Sequence, residues 1–455
     1  MIVCKFGGTS VADAEAIDRA VSIVRGRIER GPIVVVSALG GATNALLELA
    51  KHAAAGDLLV ALQQIQQLRE RHLNTAAILL AGSSELDEIC QEISVGFDEI
   101  AYLAEAFKTL GYLTPRSLDT VAAVGELLSS QMVAAAFRHR GLQAQWVDAR
   151  DVMITGDEFM RAEPDRAAIE LASQQHIGPL VQRGIIPVLG GFVGATSTRI
   201  TTTLGRGGSD YSASLIGAAL NVDAIEIWTD VDGMLTADPR VVPNAKLIER
   251  IRFDEAAELA SFGAKVLHPS TISPAVQRGI PVYVFNSRNP TGKGTMIAFD
   301  EAGAVRHPVR AIAGKRNTTV VKLRSARMLL AHGFLRSVFE IFETHRVSVD
   351  VVATSEVSIS VTLDDPTNLE AVVADLMQYG DVAVERSRGI VAIVGAGIAE
   401  GTKAMGTALA VLGPIPVYMA SLSASGINFT LVIDDREVVP AMQRLHEAFF
   451  SENAA

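Results

Sequence analysis

The sequence feature that most constrains the fold is a repeated alternation of short apolar runs with helical segments along residues 1–300. The runs Ile2–Phe6 and Ile33–Val36 flank a segment, Asp13–Arg30, in which apolar residues recur at helical spacing. Short β-branched runs that alternate with helices are typical of parallel strands buried on both faces of a sheet. We therefore predict an α/β fold in which a parallel-rich sheet carries helices on both faces.

Other segments extend this pattern. Residues 56–110 lack β-branched runs and predict helices alone. Further strands are expected at Gln143–Val147, Ile185–Leu189, Ala224–Trp228 and Pro281–Phe285. The first helix should end at Gly31-Pro32, and its predicted buried face consists of Ile17, Ala20, Val21, Val24 and Ile28.

The last third of the chain contains a sequence repeat. The segments SISVTLDD (Ser358–Asp365) and NFTLVIDD (Asn428–Asp435) lie about 70 residues apart. In both copies a helix and a short strand precede the segment and an amphipathic helix follows it, which predicts two βαββαβ units of the ferredoxin-like type. These flanking elements are predicted at Gly333–Arg346, Val347–Val352, Asn368–Tyr379, Gly401–Leu412, Val417–Ala420 and Val438–Phe450. The stretch 288–309, with its prolines and glycines, is the predicted boundary between the two parts of the chain.

Composition disfavours several classes of protein. The chain has 455 residues, of which 49% are hydrophobic, which is enough for about three domains with their own cores. A net charge of -11 disfavours binding to nucleic acid or to an anionic membrane. The two cysteines, Cys4 and Cys90, form no disulfide or zinc pattern, as expected in a reducing cytoplasm. The N-terminus has no secretory or transit pattern, and Gly413 and Pro414 interrupt the uncharged stretch 404–433, so we expect a soluble cytoplasmic protein.

Two glycine-rich motifs each follow a predicted strand and precede a helix. KFGGTS (residues 5–10) offers backbone N–H groups and a lysine charge to a phosphate, and a simple strand–helix turn is the alternative. TTTLGRGGSD (residues 201–210) places Arg206 among three glycines, where its guanidinium group is suited to a bidentate carboxylate pair. Asp210 could instead be the N-cap of the following helix. The motif has more features than a cap requires, and we interpret it as an anion site.

Two further motifs are weaker by themselves. WTDVDG (residues 228–233) ends a predicted strand, where parallel sheets bind ligands, and Asp238-Pro239-Arg240 follows it. An Asp-Gly turn in a solvated loop is the alternative. In FGAKVLHP (residues 262–269) Lys265 lies in an apolar run, although a lone lysine more often packs its stem and extends its ammonium group to water.

In order and spacing, four motifs together resemble the aspartokinase family: KFGGTSV (5–11), TTTLGRGGSDYSA (201–213), WTDVDGMLTADPR (228–240) and FGAKVLHP (262–269). The resemblance covers essentially the whole chain. SVDVVATSEVSISVTLD (348–364) and AEPDRAA (162–168) are most similar to lysine-sensitive, monofunctional bacterial members. The resemblance implies ATP-dependent phosphorylation of L-aspartate to 4-phospho-L-aspartate, the first step towards lysine, threonine and methionine.

The resemblance also implies how the chain is divided. An amino-acid-kinase domain is expected at residues 1–300, a first regulatory ACT module at 314–388 and a second at 389–455, completed by a strand at Val309–Ala313. ACT modules are small and ferredoxin-like. A homodimer through these modules is expected, with a tetramer as the alternative, and L-lysine is the expected feedback effector.

The resemblance further implies the residues of each site. The catalytic residues would be Lys5, Asp210 and Lys265. The aspartate site would consist of Thr43, Glu126, Phe192, Arg206 and Ser209, with Glu126 on the amino group and Arg206 on the α-carboxylate. The site for ATP would consist of Lys5, Gly7, Gly8, Ser37, Thr229, Asp230, Leu235, Arg240 and Lys265. Mg²⁺ would bridge phosphate oxygens of the nucleotide, and no protein residue is assigned as a ligand of the ion. The lysine site would consist of Met328, Ala331, Phe334, Leu335, Ser348, Val349, Asp350, Thr354, Ser355 and Glu356. Met328, Phe334 and Leu335 are expected at the start of the first helix of the first module.

Three positions depart from the family pattern. Leu235 stands where relatives often carry Tyr and Asp232 where Pro is usual, and neither change removes a charge that the chemistry requires. Ala331 replaces a Ser of the lysine-sensitive pattern, which bears on effector affinity.

Two other functions are weighed against the phosphorylation of aspartate: a kinase of the same fold for another amino acid, such as glutamate, and a non-catalytic amino-acid sensor.

Overall fold

The structure is a computed structural model that describes residues 1–262, 267, 269–299 and 308–451. Its strands are β1 (Ile2–Phe6), β2 (Pro32–Val36), β3 (Ala144–Trp146), β4 (Ile154–Thr155), β5 (Ile186–Gly190), β6 (Val193–Thr196), β7 (Thr201–Thr203), β8 (Ala224–Thr229), β9 (Arg250–Arg252), β10 (Val282–Asn286), β11 (Thr295–Ala298), β12 (Ala311–Arg324), β13 (Val352–Thr354), β14 (Ser358–Leu363), β15 (Asp381–Val394), β16 (Met419–Leu422) and β17 (Asn428–Asp434). Its α-helices are α1 (Ala14–Arg25), α2 (Ala42–Ala54), α3 (Leu58–Leu79), α4 (Leu86–Leu110), α5 (Pro115–His139), α6 (Arg166–His176), α7 (Gly178–Gln182), α8 (Gly208–Ala219), α9 (Phe253–Ser261), α10 (Pro269–Gln277), α11 (Phe334–Thr344), α12 (Leu369–Leu376), α13 (Lys403–Leu412) and α14 (Val438–Phe450).

These elements form two compact units. The first comprises Met1–Met234 and Val266–Glu301, and the second comprises Leu235–Lys265 and Ala302–Ala455. The first unit contributes seven neighbouring strands to one sheet, in the order β3-β5-β2-β1-β8-β10-β11. All neighbours from β3 to β10 pair in parallel, and β11 is antiparallel to β10. The predicted parallel-rich α/β fold is therefore confirmed.

The strand order places one edge of the sheet where a ligand site is expected. From β1 the chain moves outward through β2, and β5 and β3 continue on that side, whereas β8 and β10 lie on the other side of β1. The carboxyl ends of all these strands lie along one edge because the strands are parallel. The crevice at the position where the order reverses, beside β1, is where open α/β sheets bind ligands.

The most apolar elements of the first unit form its hydrophobic core. Every residue of β1 and of β2 is buried, and helices α1 to α5 pack their apolar residues into the same cluster. Among the described residues, α5 is long and apolar enough to cross a membrane, but 78% of its most apolar window is buried inside the structure. Such burial is typical of a core helix.

The predicted first helix was too long. Helix α1 ends at Arg25, with Gly26 as its C-cap, and a separate short 3₁₀ helix covers Ile28–Arg30. Ile28 is 43% exposed and does not belong to the buried face. The reason is local, since glycine is a poor helix former and ended the helix before the Gly31-Pro32 signal.

The second unit contains a six-stranded antiparallel sheet in the order β13-β14-β12-β15-β17-β16. The long strands β12 and β15 pair along their whole length. β14 continues the sheet from the second half of β12, and β17 continues it from the second half of β15. Helices α11 and α12 bury apolar residues in one core cluster, and α13 and α14 do so in another. Two ferredoxin-like modules therefore share β12 and β15, and Ala311–Lys315 lies beside Ile390–Val394.

Two predictions in the first module were wrong. The strand expected at Val347–Val352 is largely irregular, and β13 covers Val352–Thr354 instead. Thr362 provides the physical reason, because its carbonyl accepts the N–H of Asp350 at 3.0 Å and its Oγ1 accepts the N–H of Val351 at 2.9 Å, so that two residues face one and the regular ladder is interrupted. Met328 was expected at the start of the module's first helix, but it lies in a separate 3₁₀ helix, Ala326–Met328.

Candidate active site

A lysine and an aspartate from different motifs meet at the end of β1. Lys5 Nζ lies 2.7 Å from Asp210 Oδ1, and the two side chains are 10% and 13% exposed. Asp210 lies in the first turn of α8, and the N-cap of that helix is Gly207, so the cap interpretation of Asp210 was wrong. An ion pair with so little exposure holds the ammonium group in one place, because leaving either charge unpaired is costly.

The first glycine loop is fixed to its neighbours by hydrogen bonds. The N–H of Gly7 donates to the carbonyl of Trp228 at 3.0 Å. The hydroxyl of Ser10 lies 3.1 Å from the same carbonyl and 2.8 Å from Ser287 Oγ. A Cβ atom on Gly7 would lie 3.6 Å from Lys5 Nζ. Gly7 therefore lies beside the lysine at an ordinary contact distance, and the first N–H groups of the 3₁₀ helix Gly8–Val11 have no partner inside that helix.

Ser37 joins three elements at the end of β2. Its N–H donates to the carbonyl of Phe6 at 3.1 Å. Its hydroxyl donates to Ser209 Oγ at 3.0 Å, and its carbonyl accepts the hydroxyl of Ser129 at 2.9 Å. The hydroxyl of Ser37, predicted for the nucleotide site, is thus in contact with that of Ser209, predicted for the aspartate site.

Glu126 is a buried acid with half of its carboxylate unpaired. It lies on α5 and is 3% exposed. Its Oε1 accepts the hydroxyl of Thr43 at 3.1 Å, and Oε2 is buried without a hydrogen-bond partner among the described residues. Burial raises the pKa of Glu126 to about 8, which hydrogen bonds such as that from Thr43 only partly offset. An unpaired buried carboxylate oxygen is suited to an incoming cation such as a substrate ammonium group.

Gly191, which follows β5, brings α8 close to this site, and the sequence analysis did not single it out. A Cβ atom on Gly191 would lie 2.7 Å from the Cα of Ser209, so only glycine allows this approach. Phe192 has a positive φ of 66°, and its N–H donates to Ser212 Oγ at 3.0 Å. A Cβ atom on Gly208 would lie 2.6 Å from the Phe192 ring. Phe192 and Ser209 are therefore brought together.

Arg206 lies in the loop before α8, between two glycines in the left-handed region. Gly205 has a φ of 76° and Gly207 a φ of 72°. The arginine is exposed, and in the described part of the chain its guanidinium group makes no ion pair. It is therefore free to bind a carboxylate from solution.

Asp119 is a buried acid that sequence reasoning missed. Its Oδ2 accepts the N–H groups of Thr203 and Met160 at 3.1 and 2.9 Å, and its Oδ1 accepts the hydroxyl of Thr203 at 2.5 Å. Burial raises the pKa of Asp119, although these hydrogen bonds oppose the shift. Asp119 fixes the end of β7, from which the Arg206 loop departs. The available signal was its position seven residues before Glu126, on the same face of the apolar helix α5.

The predicted nucleotide residues are divided between the two units. Thr229 and Asp230 belong to the first unit, where the hydroxyl of Thr229 donates to Asp230 Oδ1 at 3.2 Å. Leu235 and Arg240 belong to the second unit, and the guanidinium group of Arg240 pairs with Asp238 at 2.6 Å. Lys265, the remaining predicted residue, lies outside the described residues, as does most of its motif.

The predicted effector residues lie in the first ferredoxin-like module. Phe334 is buried at the start of α11 and Leu335 beside it is 41% exposed. Asp350 has a partner that the sequence did not indicate, because Lys315 Nζ lies 4.0 Å from Asp350 Oδ2 and forms a closer ion pair with Asp364. Burial raises the pKa of Asp350, and the nearby Lys315 opposes this shift. The remaining predicted positions are mostly exposed: Met328, Ala331, Ser348, Val349, Thr354, Ser355 and Glu356.

Comparisons with known proteins agree with this architecture. Residues 1–286 match the amino acid kinase family, and residues 391–449 match an ACT domain. The lysine-sensitive aspartokinase 3 of Escherichia coli (strain K12) is 38% identical over 461 residues, which are 99% of this chain and 99% of that protein. The crystal structure of E. coli aspartokinase III in complex with aspartate and ADP (R-state) has a TM-score of 0.86 at 37% identity and covers 99% of this chain and 100% of that chain. The same enzyme in complex with lysine and aspartate (T-state) has a TM-score of 0.82 at 38% identity, with the same coverage.

The first unit has a parallel-rich sheet with Lys5 and glycine-rich loops at the carboxyl edge of its strands, and the second unit has ferredoxin-like modules. Together with the family matches, these features define the class of protein: an amino acid kinase with C-terminal ACT modules. The full-length similarity is more specific than this class. The chain belongs to the aspartokinase family, and the resemblance found in its sequence motifs is confirmed.

Proposed function

We propose that the protein transfers the γ-phosphoryl group of ATP to the side-chain carboxylate of L-aspartate, forming 4-phospho-L-aspartate and ADP. The observation that carries this proposal is the cluster at the carboxyl edge of the parallel strands. There Lys5 is held by Asp210, and the buried Glu126 has an unpaired oxygen. The full-length similarity to an enzyme whose crystal structure contains aspartate and ADP supports it.

The chemistry of this reaction matches the residues that meet here. The acceptor carboxylate is already an anion, so the reaction needs no general base to activate it. The main obstacle is repulsion between the acceptor and the triphosphate, and phosphoryl transfer relies on positioning and electrostatic stabilisation. Lys5 supplies a fixed positive charge for the transferring group, and Asp210 keeps its ammonium group in place. Lys265 is proposed as a second positive charge on the basis of the family motif alone.

ATP is proposed to bind with Mg²⁺. No group of three or more His, Cys, Asp and Glu side chains that could hold a metal ion occurs within the described part of the chain. Mg²⁺ usually keeps several waters and binds phosphate oxygens, so water and the nucleotide can supply its ligands without a cluster of protein side chains. Gly7 and Gly8 would lie under the phosphates, and Thr229 and Asp230 would contact the nucleotide, as the family motif implies.

Recognition of aspartate is proposed to use two opposite charges. The unpaired oxygen of Glu126 would accept the α-ammonium group, and the guanidinium group of Arg206 would bind the α-carboxylate. The substrate side chain would then extend towards Ser37 and Lys5. A substrate longer by one methylene group, glutamate, would carry its carboxylate past this position, which favours aspartate over glutamate.

L-Lysine is proposed to inhibit the kinase from the first ACT module. The E. coli relative has a T-state structure with lysine, which motivates this assignment. Asp350 would bind an ammonium group of the effector, and Glu356 would provide a second charge. Lys315 Nζ lies 4.0 Å from Asp350 Oδ2, so the ammonium group of the effector would share this carboxylate with an internal cation. A homodimer through the ACT modules, a possible tetramer and a cytoplasmic location remain predictions from the sequence.

The proposal is tested by coupled ADP release from the purified full chain. The reaction would contain MgATP with aspartate, with glutamate or with no amino acid. Release that depends on aspartate and is much slower with glutamate is expected. Faster release with glutamate would indicate a kinase for another amino acid, and no release with either substrate would indicate a non-catalytic sensor.

A further inference from the structure

An arginine outside all of the sequence motifs connects two glycine-containing loops at the carboxyl edge of the sheet, residues 7–12 after β1 and residues 37–41 after β2. Arg71 lies on α3, and its guanidinium group reaches two backbone carbonyls at once. Nη1 donates to the carbonyl of Gly40 at 2.7 Å, and Nη2 donates to the carbonyl of Ala12 at 2.9 Å. Ala12 ends the loop that begins with Gly7 and Gly8, and Gly40 lies in the loop that begins with Ser37.

The two loops are in direct backbone contact where Arg71 holds them. A Cβ atom on Gly40 would lie 3.1 Å from the carbonyl oxygen of Gly8 and 3.2 Å from the Cβ of Ala12. A Cβ atom on Gly8 would lie 3.4 Å from the carbonyl oxygen of Ala38. Glycine therefore allows the approach, but glycine-rich backbone has little intrinsic rigidity. A planar guanidinium group with fixed donors can supply the rigidity that the glycines do not.

We infer that Arg71 is a positioning residue for phosphoryl transfer. It sets the distance between the loop proposed to lie under the phosphates and the loop that carries Ser37 and leads to Thr43. This inference rests on the proposed function, because it assigns the phosphates and the acceptor to those two loops. Arg71 acts only through the backbone and touches neither ATP nor aspartate.

The same helix offers a matched control. Arg69 lies two residues earlier on α3 and forms an ion pair with Asp98 on α4. It makes no hydrogen bond to either glycine loop within the described structure. Replacing Arg69 therefore removes a charge and an interaction between helices from the same region without touching the loops.

The experiment compares Arg71→Gln, Arg71→Lys and Arg69→Gln with the wild-type full chain. The measurements are kcat, the KM values for ATP and aspartate, and the melting temperature. We expect Arg71→Gln to lower kcat by about 10- to 100-fold, because misplacing reacting groups by about 1 Å can cost a factor on the order of 100. Arg71→Lys should recover part of kcat, since an ammonium group can donate to one carbonyl but lacks the fork geometry. Arg69→Gln should retain kcat near the wild-type value.

A purely structural role for Arg71 would give a different pattern. The inference is overturned if Arg71→Gln melts at a lower temperature but keeps the kcat of Arg69→Gln. It is also overturned if both Arg71 variants fail to fold while Arg69→Gln folds, because Arg71 would then be a folding determinant. A wild-type protein that releases no ADP with aspartate would instead refute the proposed function itself.

Discussion

At the scale of single residues, the active site depends on charges that are held away from water. Lys5 and Asp210 pair at 2.7 Å with little exposure, and Glu126 is nearly inaccessible. Coulomb interactions are stronger in such surroundings than in water, so each charge has a large effect on a polyanionic reaction. The consequences can be tested one residue at a time.

Replacing Lys5 removes the charge proposed to stabilise the transferring phosphoryl group. Lys5→Ala should lower kcat by on the order of 10²–10³, as for other lost transition-state donors. The measurement is steady-state ADP release at saturating aspartate. Lys51→Ala is the matched control, because Lys51 is an exposed lysine on α2. Near wild-type turnover in a folded Lys5→Ala protein would show that Lys5 has been given the wrong role.

The raised pKa of Glu126 predicts how kcat/KM for aspartate depends on pH. Burial raises this pKa to about 8, and only the ionised carboxylate can pair with an ammonium group. The kcat/KM for aspartate should therefore rise with pH and level off above that pKa. Well below it, the value should fall by about tenfold per pH unit, because this parameter reports groups of the free enzyme. Glu126→Gln should have a lower kcat/KM that does not follow this titration.

The same titration predicts a change in stability that serves as an independent control. Between the ordinary glutamate pKa of 4.5 and about 8, the folded chain holds a proton on Glu126 that the unfolded chain has lost. The free energy of unfolding should therefore fall as pH rises through this window. Glu126→Gln should thus melt above the wild type at pH values above that window and lose this advantage in acid. A wild-type kcat/KM for aspartate that stays constant across the window would contradict the role of Glu126.

At the scale of elements, the parallel strands could be predicted because their sequences leave little choice. Runs such as Ile33–Val36 are short, β-branched and preceded by Gly31-Pro32, which favours a buried strand over a helix. Helix α14 matches its predicted bounds Val438–Phe450. Apart from the end of the first helix, predictions failed where a tertiary contact decides the backbone. The irregular residues before β13 depend on Thr362, which accepts the N–H groups of both Asp350 and Val351. The approach of Gly191 to Ser209 likewise joins residues that no local pattern connects.

The site itself was predictable where motifs carry charge and glycine together. Lys5 and Asp210 were both named from motifs, and the structure places them in contact. Asp119 and Arg71 were missed because each acts through backbone groups of distant segments. A single polar residue in a helix has many possible partners, and only the fold selects among them.

The first ACT module offers a prediction at this scale. Asp350→Ala should relieve inhibition by L-lysine and leave the uninhibited kcat close to the wild-type value. An effector acts through its differential affinity for two states, and a coupling of about 1–3 kcal/mol corresponds to a change of about 5- to 150-fold. The measurement is the lysine concentration that halves ADP release.

Lys315→Met is the control for that prediction. It removes the internal cation near Asp350 but keeps the carboxylate proposed to bind lysine. Lysine should still inhibit this variant. If Lys315→Met relieves inhibition as fully as Asp350→Ala does, Asp350 acts through its internal ion pair and not as a ligand of the effector. Inhibition by threonine in place of lysine would also contradict the assignment.

At the scale of the whole molecule, the chain interleaves its two units. The segment Leu235–Lys265 lies between catalytic motifs in the sequence but belongs to the second unit. Within that unit, Glu255 accepts the N–H of Ala396 at 2.9 Å, and Thr236 contacts the imidazole of His446 at 2.9 Å. Leu235 and Arg240, predicted for the nucleotide site, thus lie in a segment that packs with the second ferredoxin-like module.

The central claim is that this chain phosphorylates the side-chain carboxylate of aspartate. The most direct measurement traps the acyl phosphate with hydroxylamine and compares the hydroxamate formed with the ADP released. The account predicts one aspartyl hydroxamate per ADP for the wild-type protein, little glutamyl hydroxamate, and a loss of both products in Lys5→Ala. ADP release without aspartyl hydroxamate, or a preference for glutamate, would contradict it.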